Sequence, residues 1–157
     1  TSRGLGDVYK RQDIWSAACV FYELFSLDVL FEPKRLCLEF NESRWASDIS
    51  SMESDDSREL NTYETDLNQL YLFMEIFGDF PRHLVKKRRR WFSARGKIRG
   101  LRERIDKISL EERLEHDVLD SWNLPLRDIA DFLRPMFRYN PQRRDRAKKM
   151  LQHSFLL

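Results

Sequence analysis

Between Ile14 and Phe25 only Ser16 and Glu23 are plainly polar, and the apolar residues of this stretch fall on every side of a helical wheel. A helix apolar all round has no face to give to solvent, so it must be encased by other structure. Asp13 precedes it with the chemistry of an N-cap, a carboxylate that accepts from the free amides of the first turn and is worth about 1 kcal/mol. The sequence therefore predicts a central helix starting at Asp13, with the rest of an all-α domain packed around it.

The chain of 157 residues has the length of one domain, able to bury roughly two thirds of its unfolded surface. No apolar run reaches the about 20 residues that span a bilayer, and residues 1–12 have no apolar centre of the kind a secretory signal carries. Cys19 and Cys37 fit no disulfide framework and point to a reducing compartment, so a soluble intracellular protein is expected. A net charge of +2 conceals segregation: Glu42 to Asp66 holds eight acids and two bases, whereas Arg82 to Arg104 holds eleven bases and one acid.

Residues 1–12 join the apolar helix without a linker and read as non-native adaptor sequence outside the fold. Their Gly4-Leu5-Gly6 is no phosphate loop, because Tyr9 stands where the third glycine belongs and no strand precedes it. From about 34 to 65 periodicity is lost and Ser, Asp, Glu and Asn dominate, as in a flexible acidic insert. Leu67, Leu70, Tyr71, Met74 and Phe77 then recur at helical spacing, predicting a helix over Asp66 to Phe77 stopped by Gly78. Ser109 and Glu112 form a capping box ahead of Leu110, Leu114, Val118 and Trp122, predicting a helix to about Ser121. Leu126, Ile129, Phe132, Leu133, Met136 and Phe137 share one face of a further helix, with Pro125 suited to its first turn and Pro135 straining its last. A short helix from Ala147, ending at His153, closes the chain.

Asp13-Ile14-Trp15-Ser16, the small pair Ala17-Ala18, Phe21-Tyr22-Glu23-Leu24 and Leu30-Phe31 together resemble the central helix of the protein kinase C-terminal lobe. Asn140-Pro141-x-x-Arg144-x-x-Ala147 and Leu151-x-His153-x-Phe155-Leu156 resemble that lobe's closing motif, with Asn140, Arg146 and Ser154 departing from it. Phe73-Met74-Glu75-Ile76-Phe77-Gly78, Phe80-Pro81-Arg82 and Asp131-Phe132-Leu133-Arg134-Pro135-Met136 are similar in order and spacing to the SR-protein kinases, a CMGC-type serine/threonine group. The likeness covers Asp13 to Leu156. It implies a partial C-lobe over residues 13–157, cut from a parent α+β domain of two lobes.

The resemblance further implies structural roles for Asp13, Trp15 and Arg144. In the family that arginine pairs with the Glu of an A-P-E motif, which is absent here before Asp13, and leaving a buried charge unpaired costs about 3 to 5 kcal/mol. The parent would transfer the γ-phosphate of ATP, with Mg, to Ser in Arg/Ser-rich proteins, and would act in cytoplasm and nucleus. Two acids of its substrate groove fall on Asp28 and Glu75, and Asn68 occupies a third position; carboxylates suit the task because guanidinium groups bind them bidentately. H-R-D, D-F-G, V-A-I-K and the glycine loop do not occur in these residues. As a fragment the chain should therefore supply scaffold and docking, hold no cofactor, and depend on an N-lobe and catalytic segment in cis. Exposure of the central helix where the catalytic loop packs predicts poor stability or aggregation in isolation. A parent pseudokinase remains an alternative.

His83, His116 and His153 lie far apart with no partner at metal spacing. Glu111-Glu112 and Glu115-His116-Asp117, beside Arg113, read as the solvated side of a helix. Lys86 to Arg90 with Trp91-Phe92 leaves three readings open: a solvated basic face, a nuclear localisation signal, or a grip on single-stranded RNA by phosphate neutralisation and base stacking.

Overall fold

In a computed structural model, residues 2–36, 38, 56–118 and 123–157 are described. Six α-helices lie among them: α1 (Ser2–Ser26), α2 (Asp56–Phe77), α3 (Arg82–Val85), α4 (Leu110–Asp117), α5 (Leu126–Leu133) and α6 (Ala147–Met150), with 3-10 turns at Pro33–Arg35, Pro141–Arg143 and Ser154–Leu156. No strand occurs among the described residues, only isolated bridge positions, among them the antiparallel pair Phe92 and Ile98. The all-α class expected from the sequence is the one observed. The chain divides into two units, one of residues 1–30 with 108–157, the other of residues 31–107.

In the first unit, Ile14, Ala18 and Tyr22 are buried at four-residue steps along α1. The core is completed by Leu110 and Leu114 of α4 and by Ile129, Phe132 and Leu133 of α5, then Met136 and Phe137. Aromatic edges lock α1 in place: Trp15 meets Phe137 at 5.2 Å, Phe21 meets Phe132 at 5.4 Å and Phe25 meets Phe155 at 5.6 Å. The expectation of a helix covered on every side is corrected, because Val20 and Leu24 are 54% and 63% exposed. Only the Ile14-Ala18-Tyr22 side of α1 is deeply buried by the described residues.

The predicted start at Asp13 is also corrected. The helix begins at Ser2, and Asp13 is an exposed interior position with no amide to cap. Helix propensity is a weak prior that tertiary contacts override, and Arg11 supplies such contacts: its Nη1 donates to the carbonyls of Pro141, Gln142 and Arg144 at 2.8 to 3.2 Å. At the other end the Ser26 hydroxyl donates back to the Tyr22 carbonyl at 2.9 Å and Leu27 turns left-handed at φ 59. A leucine there is unusual, and its side chain is left 68% exposed.

In the second unit α2 starts ten residues earlier than the periodicity predicted and stops where predicted. Gly78 takes φ 74, a value that favours glycine, and its amide closes on the Met74 carbonyl at 3.0 Å. Tyr63, Leu67, Tyr71 and Met74 form the buried face of α2 and meet Val85, Phe92 and Ile98. The rest of the expected insert lies mostly outside the described residues.

The Ser109 hydroxyl accepts from the Glu112 amide at 3.1 Å, and the Glu112 carboxylate accepts from the Ser109 amide at 2.6 Å, so the predicted capping box is present. Helix α4 ends at Asp117, with Val118 extended; the predicted continuation to Ser121, and Trp122, lie outside the described residues. Ile129, Phe132 and Leu133 of the predicted apolar face are buried on α5, which ends at Leu133, earlier than predicted, so that Met136 and Phe137 are buried from the turn that follows. The closing helix is shorter than expected, one turn over Ala147–Met150 before a 3-10 turn.

Candidate functional site

Arg144 and Trp15 form a structural node. The Arg144 side chain is buried, with its guanidinium carbon 4.9 Å from the centre of the Trp15 ring. Its Nε donates to the Arg138 carbonyl at 2.6 Å, Nη1 to the Arg11 carbonyl at 2.9 Å and Nη2 to the Tyr139 carbonyl at 3.4 Å. Burial pulls its pKa below the usual arginine value. No carboxylate faces it among the described residues, so carbonyl oxygens and an aromatic face take the place of a counter-ion. Trp15 is stacked on Tyr139 at 6.4 Å as well as edge-on to Phe137. The Asn140 side chain accepts from the Gln142 amide at 2.9 Å, performing the cap an aspartate would supply before Pro141.

A second network joins helices α1 and α4. The Tyr22 hydroxyl donates to Asp117 Oδ2 at 2.7 Å, Arg113 Nε donates to the same oxygen at 2.8 Å, and His116 Nδ1 lies 2.7 Å from Oδ1. The Asp117 side chain is only 4% exposed, which corrects its reading as a solvated group. Burial alone would raise its pKa, but the hydrogen bonds from His116 and Tyr22 and the Arg113 charge outweigh that and hold it below the usual carboxylate range. Burial, then the adjacent carboxylate, pushes the Tyr22 phenol far above its ordinary value. The neighbouring acids are simpler: Glu111 pairs with Arg134, and Glu112 belongs to the cap.

Of the three residues that the resemblance assigns to a substrate groove, Asp28 lies in the first unit, while Asn68 and Glu75 lie two turns apart on α2, about 10 Å along its axis. Asp28 is partly exposed and its carboxylate accepts from the Val29 amide at 2.8 Å. Glu75 is also partly exposed. With Glu103 and Asp106 it acts on the Tyr71 phenol, whose pKa is raised first by burial and then by these three carboxylates. Asn68 differs, being 7% exposed. Its Nδ2 donates to the carbonyls of Pro33 at 3.0 Å and Leu36 at 3.2 Å, tying the 33–36 turn onto α2, and its Oδ1 is buried without a partner among the described residues.

In the basic stretch the aromatic side chains face inward. Trp91 stacks on Tyr63 at 4.7 Å, the Tyr63 hydroxyl donates to the Arg90 carbonyl at 3.1 Å, and Arg90 stands over both rings. Phe92 is buried. Phe92 is thus closed to base stacking, and Trp91 is half-buried with Tyr63 stacked on it. Among the described residues no group of three His, Cys, Asp or Glu could hold a metal ion, and no helix is long and apolar enough to cross a membrane.

No protein-family model matches the chain. Over 92% of its length it is 28% identical to the serine/threonine-protein kinase SKY1 of Saccharomyces cerevisiae, of which it covers 16%. It is 23% identical to the serine/threonine-protein kinase SRPK of Physarum polycephalum, covering 29%, and 28% identical to SRSF protein kinase 3 of Homo sapiens, covering 21%. The chain spans less than a third of the length of these relatives.

Proposed function

We propose that this chain, SR-protein-kinase-like over nearly its whole length, forms the later part of the C-lobe of a serine/threonine kinase acting on Ser in Arg/Ser-rich proteins. The observation that carries the reading is the continuity of the likeness, which runs through 92% of the chain rather than through one motif. The Arg144–Trp15 node supports it, since the two residues the resemblance assigns to the scaffold are packed on one another. In this reading the residues given supply scaffold and substrate docking. ATP and Mg are bound by the parent's other segments, and the parent works in cytoplasm and nucleus.

Docking rests on Asp28 and Glu75, both partly exposed and each able to accept a guanidinium. Asn68 contributes by holding the 33–36 turn rather than by meeting the peptide. Fluorescence anisotropy of a labelled Arg-Ser repeat peptide tests the assignment. Asp28→Asn and Glu75→Gln are each expected to weaken binding up to about fivefold, as exposed ion pairs do, and more at low salt. Asparagine retains an acceptor for the Val29 amide, so that variant keeps the local turn. Equal affinity in both variants would remove these residues from docking, and phosphate transfer from ATP by the 157 residues alone would end the scaffold-only reading.

A further inference from the structure

The basic stretch of the second unit is sorted, not diffuse. Arg82, His83 and Lys86 from α3 and its last turn, Arg89 from the next turn, and Arg99 line one cavity of about 960 Å3, together with the buried Phe92. That volume is typical of a small-molecule site. Lys87, Arg88 and Arg90 do not line it, and Arg90 is engaged by Tyr63 and Trp91 instead.

No carboxylate lines the cavity, and Arg82, Lys86 and Arg89 are exposed with no ion pair among the described residues. Arg99 is fixed at the wall by its Nη1, which donates to the Arg89 carbonyl at 3.0 Å. Ser93, Ala94 and Gly96 of the lining belong to a tight turn: the Ser93 amide donates to the Lys97 carbonyl at 2.8 Å, the Gly96 amide to the Ser93 carbonyl at 2.9 Å, and Gly96 sits at φ 80 against Val85. Like charges gathered in a concavity repel one another and focus a positive potential into it, and an anion relieves both. Because the rings of this segment are committed to the core, the recognition available is charge and shape rather than base stacking.

We propose that this cavity binds a compact polyphosphate anion, either free or as the headgroup of a lipid. The site is independent of the kinase reading, which uses other residues. Isothermal titration of the 157-residue protein with myo-inositol hexakisphosphate tests it, with sedimentation on phosphatidylcholine vesicles with and without phosphatidylinositol bisphosphate separating free ligand from headgroup. Arg82→Ala with Arg89→Ala is expected to weaken binding at least about tenfold, through loss of charge-assisted contacts. Arg82→Lys with Arg89→Lys is expected to restore most of it, and Lys87→Ala with Arg88→Ala to leave it unchanged. Circular dichroism checks that each variant is folded. Absence of binding, equal loss in the Lys87/Arg88 variant, or displacement of the hexakisphosphate by a single-stranded RNA oligonucleotide of higher affinity would each overturn the proposal.

Discussion

The hydroxyl of Tyr22, on the helix that opens the chain, donates across 2.7 Å to the carboxylate of Asp117, the last residue of α4. The bond links two groups whose pKa values move in opposite directions on folding. Asp117 has a lowered pKa when folded, so its contribution is present above the ordinary carboxylate value of about 3.9 and is lost as pH falls through the folded value. Tyr22 has a raised one, so its contribution is present below about 10 and is lost as pH rises beyond that. Urea denaturation across pH should show Tyr22→Phe costing about 1 kcal/mol at neutral pH and shrinking both limbs. Asp117→Ala should cost more, about 2 to 3 kcal/mol, by leaving the Tyr22 hydroxyl and Arg113 without their acceptor. A Tyr22→Phe protein with an unaltered pH profile would refute the coupling.

Arg144 is expected to behave as a carbonyl clamp rather than a stranded charge. Arg144→Met should lose about 2 kcal/mol, as buried carbonyls lose their donors, and Arg144→Lys should recover only part, since an ammonium lacks the planar fork. A double-mutant cycle with Trp15→Ala should give a coupling of about 0.5 to 1 kcal/mol. Zero coupling would mean that the guanidinium and the ring are merely adjacent.

Asn68 should be intolerant of both removal and charge. Asn68→Ala is expected to cost about 2 kcal/mol by freeing the carbonyls of Pro33 and Leu36. Asn68→Asp should be at least as costly at neutral pH, because it sets a carboxylate against those two carbonyls in a buried position. Thermal melts of the two variants decide the matter, and a stabilised Asn68→Asp protein would show that the turn can reorganise.

Cys19 should be a slow nucleophile. Burial pushes its thiol up to about 11, so almost none is thiolate at pH 8. Iodoacetamide treatment followed by peptide mapping should leave Cys19 unmodified in the folded protein and alkylated in urea. Fast labelling of the folded protein would contradict that environment.

What could be read from the sequence was whatever depends on near neighbours. The Ser109/Glu112 box, the stop at Gly78 and the helical face from Ile129 to Leu133 are each written within a few residues, and each is present. The start of α1 is not local, because Arg11 is tied to residues 141–144 at the other end of the chain. The burial of Asp117 depends likewise on Tyr22, distant in sequence, and a carboxylate next to His116 and Arg113 gives no sign of it. Trp91 looked available for stacking because its partner, Tyr63, lies inside the stretch whose composition suggested a loop. The two residues of α2 that the resemblance singles out show the same limit: Asn68 and Glu75 share a helical repeat, but only Asn68 is taken up by the 33–36 turn.

The division of the chain carries a consequence for how it is made. One unit is a single run, residues 31–107, whereas the other is assembled from two segments that bracket it. The bracketed run needs only short closures and can form while synthesis continues; the bracketing unit must wait for residues 108–157, and closing so long a loop is slow. Helix α1 is therefore made well before residues 108–157 that complete its core, with Ile14, Ala18 and Tyr22 lacking those partners in the interval. Pulse-labelled hydrogen exchange on a refolding sample should record this as protection of residues 63–98 before residues 14–22. Until residues 108–157 are made, the buried side of α1 is an apolar surface that a chaperone would shield.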